Sequence, residues 1–343
     1  MDRVLAIDIG AHTQDILLWE EGEEPENCFK LVLPSQTELV AGRIREATRR
    51  RLDIFLCGDL MGGGPCTAAV RDHLAQQLGV FATTAAALTL HDNLDRVRAM
   101  GVVLTEEAPV KTCKIGMRDL DLPALKLALK LFDLDMPAAV AVAVQDHGFC
   151  PTGSNRVYRF NIWEEFLKHG QLKEILYDVP PRDLTRMEAI KRLLPRAYVM
   201  DTCAAAIRGA LCDPCVADRA KDGAILVNVG NQHTVAALVR GTRVLGLFEH
   251  HTDCLDGAAL ASWIERFARQ EAKSDEVLED GGHGCGYAAD AAGSFPFVSV
   301  TGPRRSVAPP EWYRAVPYGD TMLVGCFGLL AALREKSPPH RSV

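Results

Sequence analysis

The residues with the most evident chemistry lie in a short polar turn between two apolar runs, Val4–Ile9 and Ile16–Trp19. This pattern predicts a β-hairpin with its polar groups in the turn. Gly10 lacks a Cβ atom, so its backbone can approach a ligand, and successive N–H groups in such a turn can cradle a phosphate. Asp8 could hold a hydrated Mg²⁺ against that phosphate. The same D-x-G pattern is also common in ordinary turns, so the motif alone leaves both interpretations open.

A similar pattern returns about 220 residues later in the chain. The sequence predicts a strand over Ala224–Val229, a turn at Gly230-Asn231-Gln232, a second strand over His233–Val239 and a third over Arg243–Phe248. A third strand, Phe29–Leu33, also follows the first hairpin. The chain therefore contains a weak internal repeat of a hairpin with a glycine turn followed by another strand.

Two further stretches place polar or small residues at predicted strand ends. Gln145-Asp146-His147-Gly148 follows the buried strand Pro137–Val144, and the carboxyl end of such a strand is where open α/β sheets bind ligands. The run Gly58–Pro65 precedes the helix Cys66–Leu78 and could approach an anion at the helix N-terminus. It lacks the lysine of a P-loop, and close backbone packing explains the glycines equally well.

Histidines cluster in the second half of the chain, where His250 and His251 precede a Thr-Asp-Cys segment and Asp280 and His283 lie in a glycine-rich segment. Imidazole, carboxylate and thiol groups together suit a transition metal. Adjacent histidines on a strand point to opposite faces, so at most one of the pair is expected to join a site. Substrate recognition, metal binding and a structural role all remain open for these four residues.

The composition favours a soluble cytoplasmic protein. The chain has 343 residues, 48% of them apolar, and a formal net charge of −7, which argues against a nucleic-acid partner. Eleven scattered cysteines without a preceding secretory segment indicate reduced thiols. The longest uncharged apolar run, Met322–Leu333, is too short to span a bilayer, so no membrane partner is expected. The sequence leaves the oligomeric state open, a homodimer included.

The rest of the chain shows patterns typical of helices and compositions typical of loops. A glycine-rich loop is expected over Val277–Asp290, and a polar tail over Ser337–Val343. Amphipathic or small-residue patterns predict helices over Thr37–Arg51, Leu122–Phe132, Ala204–Leu211, Leu255–Arg269 and Asp320–Leu333.

In this order, five segments together resemble the actin, Hsp70 and sugar-kinase superfamily of nucleotide-binding proteins. They are two phosphate loops, two connecting helices and an adenosine segment: Asp8–Thr13, Asn228–Thr234, Asp201–Leu211, Asp320–Leu333 and Val300–Arg304. The resemblance implies an α/β protein with two lobes of ribonuclease H-like (actin-like ATPase) fold around an interlobe cleft. It assigns residues 1–212 to the N-terminal lobe, with the helix at 320–335 packing back on it, and 213–319 to the C-terminal lobe.

The resemblance also implies roles for individual residues toward Mg-ATP. Asp8 would orient Mg²⁺ through water, and Asp201 would lie near the γ-phosphate and polarise the attacking group, which makes these two the catalytic candidates. Gly302 and Arg304 would contact the adenosine. The expected phosphate-binding residues are Gly10, His12, Thr13, Gly230, Asn231, Gln232, His233 and Thr234.

One departure from the superfamily pattern leaves the function open. The second phosphate loop normally begins with aspartate, and here the residue is Asn228. The expected function is ATP hydrolysis or phosphotransfer in the cleft, on a small molecule or a protein. The alternatives are a nucleotide-dependent activator of a partner protein, or a binding module that has lost ATP turnover.

At finer grain the chain resembles a family labelled as pyruvate formate-lyase activating enzyme. The shared patterns are Met61–Pro65, Met200–Thr202, Phe248–Thr252 and Asp280–Gly284. A radical-SAM activase needs a C-x-x-x-C-x-x-C motif to hold its iron–sulfur cluster, and the eleven cysteines contain no such triplet. The sequence therefore does not support that label in its literal sense.

Overall fold

The computed structural model of the protein describes residues 2–336. The predicted tail Ser337–Val343 lies outside the described residues. Within this range the strands are β1 (Arg3–Ile9), β2 (Thr13–Glu20), β3 (Phe29–Pro34), β4 (Ile54–Gly58), β5 (Val80–Ala82), β6 (Val102–Leu104), β7 (Cys113–Met117), β8 (Ala139–Val144), β9 (Tyr198–Met200), β10 (Ala224–Val229), β11 (His233–Arg240), β12 (Arg243–His251), β13 (Gly284–Tyr287), β14 (Phe297–Thr301) and β15 (Tyr313–Arg314). The α-helices are α1 (Gln36–Arg49), α2 (Gly64–Ala75), α3 (Thr84–Ala87), α4 (Leu94–Ala99), α5 (Leu122–Lys130), α6 (Asn155–Leu167), α7 (Thr185–Leu193), α8 (Thr202–Ala210), α9 (Pro214–Ala220), α10 (Gly257–Ala268), α11 (Ser274–Glu279) and α12 (Val324–Lys336).

Two of the sheets have the same topology. The first has the order β3-β2-β1-β8-β9, and the second contains the order β12-β11-β10-β14-β15 with β13 added at its edge. In each sheet the first three strands along the chain are antiparallel. The next strand in the order (β8 or β14) pairs in parallel with the first, and the last (β9 or β15) pairs in parallel with that one. This repeated order is that of two ribonuclease H-like lobes. The predicted actin-like ATPase fold is thereby confirmed.

A third sheet, with the parallel order β6-β5-β4-β7, is inserted between β3 and β8. It has its own apolar core, formed with α1, α2 and the short helices α3 and α4. Within this sheet β4 lies between β5 and β7. The glycine run that ends β4 and begins α2 thus projects from this inserted sheet.

Helices α8 and α12 cross closely through small residues and join the two lobes. A Cβ atom on Gly209 would lie 1.8 Å from the carbonyl oxygen of Val324, and one on Gly328 would lie 1.8 Å from that of Ala205. Since α8 follows β9 of the first sheet and leads to β10 of the second, it corresponds to the predicted first connecting helix. The other predicted connecting helix begins at Val324 rather than at Asp320, whose carboxylate accepts a hydrogen bond from the N–H of Met322.

We expect the substitution Gly328→Ala to lower the free energy of unfolding by about 1–3 kcal/mol, because the added methyl group must push the two helices apart. Gly42→Ala in α1 is the matched control, since a Cβ atom there meets nothing within 4 Å. That control should be neutral or stabilising, because alanine has the higher helix propensity. Urea unfolding of both variants checks the prediction, and equal effects would contradict the close crossing.

The expected loop over Val277–Asp290 was wrong in part. The helix α11 covers its beginning, and β13 pairs antiparallel with β12 in its middle. The glycines suggested a loop, but they permit close packing here: a Cβ atom on Gly284 would lie 2.6 Å from the Phe160 ring, and Gly284 has a φ of +145°. Tertiary packing against α6 therefore overrides the local composition.

Candidate functional site

The two glycine turns have the same local geometry and face one cavity. The N–H of Gly10 donates to the carbonyl oxygen of Thr13 at 2.9 Å, and the N–H of Gly230 donates to that of His233 at 2.9 Å. Each turn joins the first two strands of its lobe. Both turns line a cavity of about 100 Å³ between the lobes. The predicted internal repeat thus brings its two turns together.

Two carboxylates lie at the base of this cavity. Asp8 and Asp15 are directly opposite each other in the β1–β2 ladder. Burial raises the pKa of Asp8 to about 7, despite a 2.5 Å hydrogen bond that the hydroxyl of Thr202 donates to it. Burial, with the nearby charges of Asp8 and Asp320, raises the pKa of Asp15 to about 8. Its Oδ1 atom is buried without a hydrogen-bond partner, so the pair is well suited to face a cation.

The second loop and the predicted adenosine segment pack directly on each other. The Asn228 amide donates to the Thr301 hydroxyl at 3.0 Å. Gly302 has a φ of +99°, and a Cβ atom there would lie 2.4 Å from the carbonyl oxygen of Val229, so only glycine permits this approach. Gly302 lines the 100 Å³ cavity. The Arg304 guanidinium is paired with the exposed carboxylate of Asp253.

Asp201 lies close to the turns, but its carboxylate points into a different environment. Its Oδ1 accepts from the Cys203 N–H at 2.9 Å and so caps α8, and its Oδ2 is 2.8 Å from the Arg159 guanidinium. The side chain is buried, and it is Thr202 rather than Asp201 that lines the cavity between the turns. The structure therefore does not bring Asp201 to the position that the resemblance implied for a γ-phosphate.

Arg159 is the centre of a buried ionic network that the sequence did not reveal. Besides Asp201, its Nε donates to both carboxylate oxygens of Glu249 at 2.9 and 2.8 Å. Glu249 also accepts hydrogen bonds from the Trp163 indole and the Gln145 amide, each at 3.0 Å. Burial alone would raise the pKa of Glu249, but Arg159 and neighbouring imidazoles hold it well below its ordinary value. The network ties α6 of the first lobe to β12 of the second.

Four histidines meet beside this network. The side-chain nitrogens of His147, His233 and His283 lie within 4.8 Å of one another. The ring of His251 is centred 4.8 Å from the rings of both His233 and His283. Burial lowers the pKa of His283 to about 3 and that of His251 to about 4, and it holds the pKa of His147 well below its ordinary value. These three imidazoles are therefore neutral near pH 7.

The remaining histidine candidates lie elsewhere. His12 is half-exposed and paired with Glu38, outside the residues that line the cavity between the turns. His250 is buried on the face of β12 opposite His251, with its Nε2 3.3 Å from the Asp280 carboxylate, which also accepts from the Trp263 indole. This arrangement agrees with the expectation that only one of the adjacent histidines joins a site. Thr234 is buried and bonded to the Thr252 hydroxyl.

A second cavity, of about 250 Å³, adjoins the first. It is lined by residues of the glycine run Gly58–Pro65 and of the segment Gln145–Gly148, the two stretches that the sequence places at strand ends. One wall is the glycine run, where a Cβ atom on Gly64 would lie 2.9 Å from the Gln232 amide. The facing wall includes Gln145, His147 and His233. Arg186 lies between them, bonded to the Asp119 carboxylate at 2.6 and 2.8 Å. The inserted sheet thus closes over the histidine cluster.

A family model described as "Putative pyruvate format-lyase activating enzyme (DUF1786)" matches residues 61–307, which is more than half of the chain. The chain belongs to this family. Membership agrees with the resemblance found in the sequence, and the matched range contains most of the glycine run, the ionic network and all four clustered histidines. No curated protein matches the chain at a significant level.

Several solved structures resemble this family member at low identity. The ethanolamine utilization protein EutJ from Carboxydothermus hydrogenoformans is 10% identical, with 95% of this chain and 88% of that chain covered and a TM-score of 0.33. A Bacteroides thetaiotaomicron protein with actin-like ATPase fold is 8% identical (89% and 85% covered, TM-score 0.34). An Aquifex aeolicus member of the Ppx/GppA family is 12% identical (88% and 66% covered, TM-score 0.30). The fold assignment rests on the strand topology itself. Among the helices of residues 2–336, none is long and apolar enough to cross a bilayer.

Proposed function

We propose that this protein binds Mg-ATP between its two glycine turns and uses it for ATP hydrolysis or phosphotransfer in the interlobe cleft. The observation that carries the proposal is the duplicated turn: the same 2.9 Å hydrogen bond from a glycine N–H closes a turn in each lobe, and the two turns line one cavity. Paired loops of this kind could hold a phosphate chain from opposite sides through backbone donors. The identity of the molecule that would accept the phosphoryl group stays open.

The acidic residues fit a magnesium ion. Asp8 and Asp15 face each other, both have raised pKa values, and Oδ1 of Asp15 is buried without a partner. A hydrated Mg²⁺ held by Asp8 would favour the ionised carboxylates and neutralise charge on the phosphates. Thr202 donates to Asp8 and would fix the orientation of its carboxylate. Asp201, which pairs with Arg159, is not assigned a catalytic role in this proposal.

The size of the cavity implies movement of the lobes. The space of about 100 Å³ between the turns is well below the roughly 300–1,000 Å³ of typical ligand pockets. The nucleoside would therefore enter only after the lobes separate, with Gly302 at the adenosine side. The adjoining cavity of about 250 Å³ is the natural place for an acceptor, and Gln145 and Gln232 line both spaces.

We expect Asp8→Asn to abolish the stabilisation by Mg-ATP while it leaves the fold intact. The neutral amide retains an acceptor for Thr202, and Asp8 is itself close to half-protonated near pH 7. Wild-type protein should gain roughly 3 kcal/mol when ligand is 100-fold above Kd, measured as a rise in melting temperature. Asp222→Asn, at an exposed position, is the control and should respond like wild type.

Turnover is measured on the same three proteins as phosphate release. Loss of release in Asp8→Asn alone supports an ATPase or phosphotransferase. An equal thermal response in wild type and Asp8→Asn, or no response in wild type, contradicts the proposed site.

A second candidate function is a binding protein without turnover, and Asn228 favours it. The amide at this position donates to Thr301, whereas an aspartate would add a negative charge for the metal. A thermal response to nucleotide without phosphate release would select this alternative. A protein that activates a partner by opening its lobes on nucleotide binding also belongs to this class of nucleotide-binding proteins without turnover. Within residues 2–336, no cysteine is part of a group of three metal-ligating side chains, so nothing described there favours a cluster-bearing activator.

A further inference from the structure

We infer that His147, His233 and His283 bind one divalent transition-metal ion across the cleft. This site would be separate from the magnesium and nucleotide proposed above and does not depend on them. The three side chains come from both lobes: His147 follows β8, His233 begins β11, and His283 immediately precedes β13. Their nitrogens already lie within 4.8 Å of one another. Three imidazole ligands suit zinc, nickel, copper or iron.

The geometry needs only a small contraction to hold a metal. Zinc–nitrogen bonds of about 2.0–2.1 Å with tetrahedral angles place ligand nitrogens about 3.4 Å apart. The present separations of up to 4.8 Å can reach this value through small side-chain rotations, without a change in the strands. Three imidazoles leave a fourth position for water or a ligand. His147 and His233 line the 250 Å³ cavity, so this open position would face it.

His283 provides an independent indication of a missing ligand. Its side chain is 1% exposed, and neither ring nitrogen has a hydrogen-bond partner. A buried polar atom without a partner destabilises a protein, so such atoms usually indicate an absent ligand, ion or water. The backbone N–H of His283 donates to the carbonyl oxygen of Glu249 at 2.9 Å, and Arg156 donates to the carbonyl oxygen of Gly282 at 2.9 Å. The ring is therefore held toward the cluster from both sides.

Glu249 completes the arrangement as a positioning residue. Its Oε1 lies 3.1 Å from Nδ1 of His233, which makes no hydrogen bond in the present ring orientation; a small rotation would let Nδ1–H donate to Glu249 and leave Nε2 for a metal. Histidine ligands commonly donate their second N–H to a carboxylate in this way, which fixes the tautomer and increases the basicity of the ligand. Arg159, Trp163 and Gln145 in turn fix Glu249.

The test is a titration of chelator-stripped protein with Co²⁺ in the absence of nucleotide, followed by absorbance. Wild-type protein should bind one Co²⁺ per chain with visible d–d bands and no thiolate charge-transfer band, which distinguishes imidazole ligands from the eleven free cysteines. His283→Gln and His147→Gln should each weaken binding by about 100-fold or more. His91→Gln is the control, because His91 lines the same cavity but bonds to the Asn93 N–H.

A leucine variant of His283 provides a readout of stability. His283→Leu should melt at a higher temperature than metal-free wild type, because it removes two unpartnered nitrogens, and it should bind no cobalt. Absence of Co²⁺ uptake by wild type, a thiolate charge-transfer band, or undiminished uptake by both glutamine variants would overturn the inference. Since no nucleotide is present, these results are independent of whether Mg-ATP binds at the glycine turns.

Discussion

Replacement of Arg159 by methionine is expected to lower the free energy of unfolding by about 3–5 kcal/mol. The guanidinium is 2% exposed and pairs with Asp201 and Glu249, which are themselves buried. Methionine fills a similar volume but leaves two carboxylates buried without their counter-charge. Urea unfolding at pH 7, followed by circular dichroism, measures the loss.

Arg269→Met is the matched control for this substitution. Arg269 also pairs with two carboxylates, those of Glu265 and Glu271, but all three side chains are more than half exposed, and pairs open to solvent contribute little to stability. We expect a much smaller loss than for Arg159→Met. Equal losses in the two variants would show that the Arg159 network does not contribute as its burial implies.

The second large effect is a pH-dependent stabilisation by Asp15→Asn. Folding raises the pKa of Asp15 from 3.8 to about 8, so the folded state binds more protons than the unfolded state between these two values. The stability of the wild type should therefore fall as the pH rises through this window, whereas asparagine cannot ionise. At pH 8, without Mg²⁺, the variant should exceed wild type by several kcal/mol, on the order of 4.

The comparison must be made as a difference at each pH. The buried His147 and His283 have lowered pKa values, so their contribution to stability falls at acid pH in both proteins and cancels in the difference. Urea unfolding in EDTA at pH 5, 6, 7 and 8 should show a difference that grows with pH. A difference that stays constant over this range would mean that Asp15 ionises normally in the folded protein.

Local patterns in the sequence predicted the elements that carry the two turns. Alternating apolar runs around Gly10 and Gly230 define hairpins because strand periodicity and turn chemistry are both local properties. Their repetition along the chain indicated a weak internal repeat, and the resemblance to the actin, Hsp70 and sugar-kinase superfamily implied two similar lobes. The sequence alone did not distinguish the inserted sheet β6-β5-β4-β7 from the sheets of the two lobes. Its short strands have the same local pattern, and only the long-range pairing of strands shows that they form a sheet of their own.

The ionic network could not be predicted in the same way. Arg159 is one arginine in a helix with no motif around it, and its burial depends on a partner 90 residues away, Glu249. The glutamate gave a weak signal, because it is a charged residue that continues the apolar strand Arg243–Phe248. The surroundings of Asp201 could not be predicted for a related reason: the resemblance implied a place near the γ-phosphate, but only the fold shows that its carboxylate pairs with Arg159.

The histidine cluster was predicted in part. The period of a strand correctly separated His250 from His251, since side chains alternate between faces. His283 was a candidate within a segment that was expected to be a loop, and it lies between α11 and β13, immediately before that strand. His147 was noted at the end of β8 without a metal role. Bringing these residues together requires both lobes, so no spacing in the sequence could reveal the group of three.

The central claim is that both glycine turns contact one nucleotide, and hydrogen–deuterium exchange with and without Mg-ATP tests it most directly. If the claim is right, Mg-ATP should slow amide exchange in the peptides covering residues 8–15 and 228–234 together, and Asp8→Asn should lose this protection in both peptides. Protection of only one turn, or of neither at a nucleotide concentration that saturates the thermal response, would contradict it.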